Sequence, residues 1–581
     1  MNSLRLRCAG LALLLVSFVC FAQPPKLAPD LQGVDPRSIV NVIVQFATPP
    51  GAQQLGRINQ LGGTLTTGLD LIQGAAFSLP ASALAGLAKD PNVLYISPDR
   101  EVTATLDYAN PTVGAELALQ NGWDGTGVGV AIIDSGILQE NDLLDKSTNA
   151  SNVSRIVYSQ SFIPGVPSTA DQYGHGTHVA GIVAGNATSS TGSAFFKTFR
   201  GMAPNARLIN LRVLDGKGAG TDSGVINAIN RAIQLKNQYN IRVINLSLGR
   251  PVFEAYSLDP LCQAVERAWT AGIVVVVAAG NQGRNQSQGT NGYATITAPG
   301  NDPLVITVGA MKTMSTPFRT DDLIASYSSK GPALIDHVVK PDLVAPGNRT
   351  ISLLASKSLI NANSSVNKIP YSYYQTTLNR SYSADYYRLS GTSMAAPMVS
   401  GAAALMVTKD WSLTPETIKA RLMKTATKTF PMYSTAIDPV TNLTYTSQYD
   451  IFTIGAGYVD IWAALNSTDS VPPGSTAASP TAVFDTSTNT VRVINTNAAI
   501  WGTAAIWGTA AIWGTAAIWG TNVFVDGSAA IWGSSAVWGS AAIWGTGGTQ
   551  GSAAIWGTAA IWGTGANPAG ETLSLLINGE N

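Results

Sequence analysis

The chain has 581 residues, with 35 Lys+Arg and 35 Asp+Glu, so only 12% are charged where an ordinary soluble protein has about 25%. A net charge of zero and the lack of any Lys/Arg run leave little to neutralise phosphates, which argues against nucleic-acid binding. The 45% hydrophobic content excludes general disorder, and the length allows two to four folded units at roughly 150 residues each.

In chain order, Arg5 and Arg7 precede an apolar run from Leu11 to Phe21 that ends in the small residues Cys20 and Ala22. This is the pattern of a secretory signal peptide, residues 1–22, cut after Ala22. A transmembrane anchor would need about 18 or more apolar residues. Cys8 and Cys20 leave with the signal, so the mature chain keeps Cys262 alone, read as a buried small hydrophobe, and can form no internal disulfide.

A polar leader follows, and then NVIVQF, an amphipathic stretch, GAAFSLP, ASALAGLAKD and NVLYISP predict a small β-α-β-α-β unit over residues 38–104. From about Gly122 to Leu465, Val/Ile-rich runs alternate with helical patterns. The strands predicted are GVGVAIID, ARLINLRVL, RVINLSLG, GIVVVVAAG and PLVITVGA. The helices predicted are DSGVINAINRAIQLK, the run from Cys262 to Trp269, SMAAPMVSGAAALMVTK, and ETIKARLMKTATK with Thr414 as N-cap and Pro415 in the first turn. Near-continuous apolar strands are buried on both faces, and their alternation with helices predicts an α/β fold, a doubly wound parallel sheet spanning residues 110–466. Residues 467–482 read as a linker and 483–581 as a repeat tail.

Ligands of such sheets bind at the carboxyl ends of strands. Asp134 ends VAIID, Asn281 follows VVVVAAG, and Ser247 follows VINL. Two of three histidines lie in DQYGHGTHVAG as His175 and His178, three apart with Gly176 where a zinc helix would place Glu beside the first, so a general base is the better reading than a metal ligand. Ser393 opens a small-residue helix, where backbone N–H groups favour developing negative charge. Acyl transfer to water needs a nucleophile, a base, an acid to orient the base and donors for the oxyanion; Ser393, His175, Asp134 and Asn281 supply one of each, in the chain order Asp, His, Ser.

IIDSG, HGTHVAG and GTSMAAP resemble the three signature blocks of the subtilisin-like serine proteases, with NLSLG, VVAAGN, YSSKGP, KPDLVAPG and GAGYVD agreeing in order. The resemblance implies a seven-stranded parallel sheet with helices on both faces and a secreted serine endopeptidase that needs no cofactor for catalysis. It implies Ser393 as nucleophile, His175 as base, Asp134 as orienting carboxylate and Asn281 as side-chain oxyanion donor, with His178 structural. The backbones of Gly218-Ala219-Gly220 and Ser247-Leu248-Gly249 match the segments that hold an extended peptide as an added strand. Asp142 matches the family's calcium aspartate, but the following loop, GNATSSTGSAFFKTFRG, is long and carries no carboxylate, so a structural calcium is left open. Gln282 stands where many relatives have Glu. Residues 38–104 resemble the family's inhibitory propeptide, which assists folding and blocks the cleft until the enzyme removes it; an independent small binding domain is the other reading.

From Ala498 to Gly570 the hexad AAIWGT recurs with nine tryptophans and a single charge, Asp526. A six-residue step scatters side chains around a helix but keeps them on one face of a strand, so short AAIW strands are expected, making the tail β-rich or irregular. So much aromatic surface needs covering. A small β-domain or solenoid, a surface-binding module and a self-associating or export segment are the alternatives. A rival reading of the whole chain is a non-catalytic surface-binding protein on a decayed scaffold.

Overall fold

The computed structural model describes residues 26–28, 31, 34–69, 73–98, 108–145, 153–285, 290–363, 367–376, 381–438, 441–485, 490–494 and 573–580. The signal-peptide reading and the Trp repeat lie outside the described residues. The chain divides into two compact units, Met1–Val102 and Thr103–Asn581.

The first unit is an antiparallel sheet of β1 (Ile39–Phe46), β2 (Thr64–Leu69), β3 (Gly74–Pro80) and β4 (Val93–Pro98) in the order β2-β3-β1-β4, with helices α1 (Ala52–Gln60) and α2 (Leu84–Ala88). Its own core includes Val42, Val44, Ile58, Phe77, Leu79, Leu84 and Ile96. The sequence pattern predicts three strands here; the structure has four. The additional strand, TLTTGL, is an edge strand whose side chains are almost all exposed, so it has no apolar alternation to betray it.

In the second unit seven strands run parallel: β5 (Gly129–Asp134), β6 (Ile156–Ser161), β7 (Arg207–Arg212), β8 (Ile241–Leu246), β9 (Val274–Ala278), β10 (Ile306–Lys312) and, pairing with β10, β12 (Leu343–Pro346). The two-residue β11 (Leu323–Ile324) adds an eighth strand antiparallel to β10, so the sheet is mixed where a purely parallel one is expected. The order is β11-β10-β9-β8-β5-β7-β6. The chain winds from β5 toward β7 and then returns to the other side of β5 at β8, which makes the carboxyl end of β5 a switch point. Every residue of β5, β9 and β10 is buried, as a sheet covered on both faces requires.

The helices form where capping and apolar spacing agree. In α3 (His175–Ala184) every residue is buried. Thr221 caps α4 (Asp222–Tyr239) by accepting from Gly224 N–H. Asp259 caps α5 (Pro260–Thr270), which buries Cys262. A separate small antiparallel sheet joins β13 (Thr350–Leu353), β14 (Lys368–Pro370) and β15 (Tyr382–Leu389). The hydrophobic α6 (Thr392–Lys409) packs against α3 and strands β8, β9, β10 and β12. Thr414 caps α7 (Pro415–Thr425) with Pro415 in the first turn, as the sequence predicts. Hairpin β16 (Tyr433–Ile437)/β17 (Thr444–Gln448) and hairpin β18 (Thr481–Asp485)/β19 (Thr490–Ile494) follow, and helix α8 (Leu573–Asn578) ends the described chain. Among the described residues no helix is long and apolar enough to cross a membrane.

Candidate active site

Parallel strands end together, so the residues after β5, β7, β8 and β9 gather at one edge of the sheet. Asp134 is the last residue of β5 and is buried, as is His175, the first residue of α3. His175 Nδ1 lies 2.8 Å from Asp134 Oδ1 and 3.0 Å from Oδ2, while Ser135 N–H donates to Oδ1 at 2.7 Å. With a carboxylate as partner, Nδ1 carries the proton and Nε2 is the basic nitrogen. A Cβ at Gly176 would collide with the carbonyl oxygen of Gly136 and crowd Asp134, so only glycine lets α3 approach β5 this closely.

A network absent from the sequence reading fixes this approach. Ser135 Oγ donates to Asp171 Oδ1 at 2.9 Å and accepts from Gly176 N–H at 2.9 Å. Asp171 also accepts from Gly174 N–H at 2.6 Å and Thr177 N–H at 2.8 Å, satisfying amides at the start of α3. Burial raises the Asp171 carboxyl against these donations, which lower it. An acid four residues before His175 in DQYGHGTH is the signal that could have revealed it.

His178 lies on the same helix and does different work. Its Nε2 faces the carbonyl oxygens of Thr350 at 3.2 Å and Tyr387 at 3.3 Å, tying α3 to β13 and β15. Burial, reinforced by the charge of His175, pushes its pKa down to about 3, so it stays neutral.

Ser393 is the second residue of α6 and is buried; its Oγ donates to Ser247 O at 3.1 Å. Ser247 Oγ donates to Ser393 O at 2.8 Å, and a buried relay continues from Asn245 Nδ2 to Ser247 Oγ at 2.9 Å and from Ser400 Oγ to Asn245 Oδ1 at 2.8 Å. These bonds lock the start of α6 to the end of β8. Asn281 is partly buried, and its Oδ1 accepts from Thr392 N–H at 2.9 Å and Thr392 Oγ1 at 3.0 Å. With the oxygen held beside Ser393, the amide NH2 is the end left to donate.

Gly218-Ala219-Gly220 lies beyond β7 and Ser247-Leu248-Gly249 beyond β8, on the two sides of β5. Ala219 closes a turn on Asp215, donating to Oδ1 at 3.0 Å and accepting from Asp215 N–H at 2.8 Å. Gly249 packs against Thr297 and Ala298, where Arg250 and Ala298 exchange backbone bonds of 3.0 and 2.8 Å.

Asp142 lies apart from these groups. Its Oδ1 accepts from Ser189 N–H at 2.7 Å and its Oδ2 from Tyr386 OH at 2.6 Å, while Arg155 Nη2 bonds its carbonyl at 2.5 Å. Burial raises its carboxyl. Phe195 and Phe199 of the long loop after α3 pack on Tyr374 and Tyr386, with ring centroids 5.7 Å apart for Phe195–Tyr374 and 4.8 Å for Phe199–Tyr386. Both carboxylate oxygens of Asp142 are thus taken by donors from the protein, while the carboxylates of Asp385 and Glu140 face it as like charges. Among the described residues no three His, Cys, Asp or Glu converge as a metal site.

The subtilase family model matches residues 125–457, more than half of the chain. Serine protease AprX of Bacillus subtilis (strain 168) is 34% identical over 405 residues, covering 67% of this chain and 83% of the relative. Subtilisin E of the same organism is 31% identical over 420 residues, covering 72% and 92%. The thermostable alkaline protease of Halalkalibacterium halodurans is 34% identical over 351 residues, covering 60% and 76%. With the family model matched over more than half of its length and relatives at 34% and 31% identity over two thirds of it or more, the chain belongs to the subtilase family of serine endopeptidases.

Proposed function

We propose that the chain is a secreted endopeptidase, made as an autoprocessed preproprotein, that hydrolyses peptide bonds in proteins through an acyl-enzyme on Ser393. The observation that carries this reading is the His175 Nδ1 to Asp134 contact of 2.8 Å on a helix whose start is fixed by Asp171 and Ser135.

In the mechanism, an extended peptide lies between the backbones of residues 218–220 and 247–249 as an added strand. Ser393 Oγ leaves the Ser247 carbonyl and attacks the scissile carbonyl carbon as His175 Nε2 takes its proton. Asp134 keeps the imidazole in the tautomer that exposes Nε2 and stabilises the imidazolium formed. The negative oxygen is met by the Asn281 NH2 and by amides at the start of α6, where the helix dipole adds its positive end. The imidazolium protonates the leaving amine; water then attacks the acyl-enzyme as His175 Nε2 takes one of its protons, and that proton passes to Ser393 Oγ as the acyl–oxygen bond breaks, releasing the acid product and restoring the Ser393 hydroxyl and neutral His175.

Residues 38–104, most of which lie in the first compact unit, are proposed as the inhibitory propeptide. Its support is a core of its own, with Val42, Val44 and Leu79 fully closed to solvent, in a segment separate from the catalytic unit. The repeat tail is proposed to bind a surface or self-associate, since its aromatic residues demand cover.

The test compares the purified protein with its Ser393→Ala variant for casein hydrolysis, propeptide release and labelling by a serine-directed phosphonate. The parent is expected to do all three and the variant none. A variant that matures in isolation and digests casein as well as the parent refutes the reading.

A further inference from the structure

Residues 573–580 lie far beyond the family match at 125–457, yet they are built into the catalytic unit. Helix α8 packs against β15, and Leu576 is 1% exposed. The Leu576 carbonyl accepts from Ser390 N–H at 2.9 Å. Gly579 has φ +60°, and a Cβ there would overlap Ser390 Oγ and crowd Asn348 Oδ1, so any side chain at this position forces those groups to shift.

Glu580 completes the contact with no exposed surface. Its Oε1 accepts from Arg284 Nη2 at 2.6 Å, from Ser326 N–H at 2.8 Å and from the Ser326 hydroxyl. Its Oε2 lies 3.2 Å from Lys312 Nζ. Its backbone pairs with the Asn348 side chain, donating N–H to Oδ1 at 2.9 Å and accepting from Nδ2 at 2.9 Å. A carboxylate closed to water is tolerated only in such paired surroundings, so this is a made-to-measure socket in the molecule's own protein.

What the segment touches gives it a role. Ser390 stands three residues before Ser393, and its Oγ also accepts from Arg349 N–H at 2.9 Å. Arg284 stands three residues after Asn281, and its Nε donates to Ser326 Oγ at 2.7 Å. From the adjoining stretch, Tyr327 O accepts from Gly283 N–H at 2.8 Å and Ser329 Oγ from Gln282 N–H at 3.0 Å. One octapeptide thus braces the turn that leads to Ser393 and the loop that carries Asn281. Those two stretches meet at the Asn281–Thr392 bonds.

We propose that Leu573–Glu580 is a C-terminal clasp for the catalytic site, with Glu580 a positioning residue that acts through Arg284 and Ser326 on the Asn281 loop. This deepens the reading above and rests on Ser393 as nucleophile and Asn281 as oxyanion donor. Thr481 bridges to Val338, and Ala482 N–H donates to His337 O at 2.9 Å, so the start of hairpin β18/β19 is anchored on the same unit. The chain between Ile494 and Leu573, repeat included, therefore joins two anchored segments.

The test uses the full chain with Glu580→Gln and, separately, Gly579→Ala. Active sites are counted by covalent labelling with a serine-directed phosphonate, and kcat and KM for a short chromogenic peptide are expressed per labelled site. Both variants are expected to lower kcat per labelled site, Glu580→Gln by about ten-fold, short of the ~10²–10³ for losing an oxyanion donor outright. KM is expected to stay near that of the parent, because the clasp does not touch residues 218–220 or 247–249. An unchanged kcat per labelled site in both variants, whatever their melting temperatures, overturns the clasp and leaves the segment a stabiliser of the fold. Failure of the parent to label at Ser393 overturns the nucleophile reading instead, so the two failures are distinct.

Discussion

Asp134 and Asp142 are eight residues apart and both closed to solvent, at 1% and 0% exposure, yet the regions around them do opposite things with a buried carboxylate. At the sheet edge, Asp134 is given an imidazole, whose second ring nitrogen can take up and release a proton. In the loop region, Asp142 is given a tyrosine hydroxyl, whose proton burial holds more tightly, and a backbone amide, which does not titrate. The first arrangement can move a proton during a reaction, whereas the second can only hold two chain segments together. Burial alone therefore does not mark a catalytic carboxylate; the titratability of its partner does.

Breaking the first region is expected to produce the largest effect. Asp134→Asn keeps the shape but loses the charge and favours the wrong imidazole tautomer, so kcat for a short peptide is expected to fall by roughly 10⁴-fold. A fall of less than ten-fold would show that Asp134 does not orient His175. The mirror experiment, Tyr386→Phe, removes one donor from Asp142 and leaves a buried acceptor unsatisfied. Denaturant unfolding should show a loss of about 1–3 kcal/mol, with kcat per active site unchanged. Loss of activity without loss of stability would dissolve the contrast between the regions.

His178 sharpens the contrast within α3 itself. Its pKa falls from 6.5 to about 3 on folding, so between those values the unfolded chain binds more protons than the folded one. Its contribution to stability is fully present above pH 6.5 and is lost as pH falls toward 3. The expected slope is about 1.4 kcal/mol per pH unit, and His178→Asn should remove that slope. An unaltered slope in the variant would mean that His178 is protonated in the fold. The smallest effect is expected at Cys262, whose thiol burial pushes far above its ordinary pKa and which contacts Asn301 Oδ1 at 3.3 Å. Iodoacetamide should leave Cys262 of the native protein unmodified by mass spectrometry and its activity intact.

Much of the architecture is legible because its signals are local. Runs such as VVVV at 274–277 and the apolar spacing of α4 and α6 announce buried strands and helices within a dozen residues. The cap at Thr414 is written in two adjacent residues. The edge strand Thr64–Leu69 is invisible by the same logic, since its side chains bury nothing. The two-residue antiparallel β11 is too short to carry a period. The partner that Asp142 takes up in the fold, Tyr386, lies 244 residues away and leaves no local trace either.

The amino-acid sequence by itself determined the α/β alternation, the order of Asp134, His175, Asn281 and Ser393, and the types of group available for acyl transfer, because residue identity and short periods are properties of neighbours in the chain. Only the tertiary structure decided which of these groups meet and what holds them. Asn281 finds Thr392 across 111 residues, and Glu580 finds Arg284 across 296, with no local trace of either pairing. Such partners are selected by the winding of the sheet, which brings strand ends together, and by the need of a buried charge for a counter-charge wherever in the chain that lies.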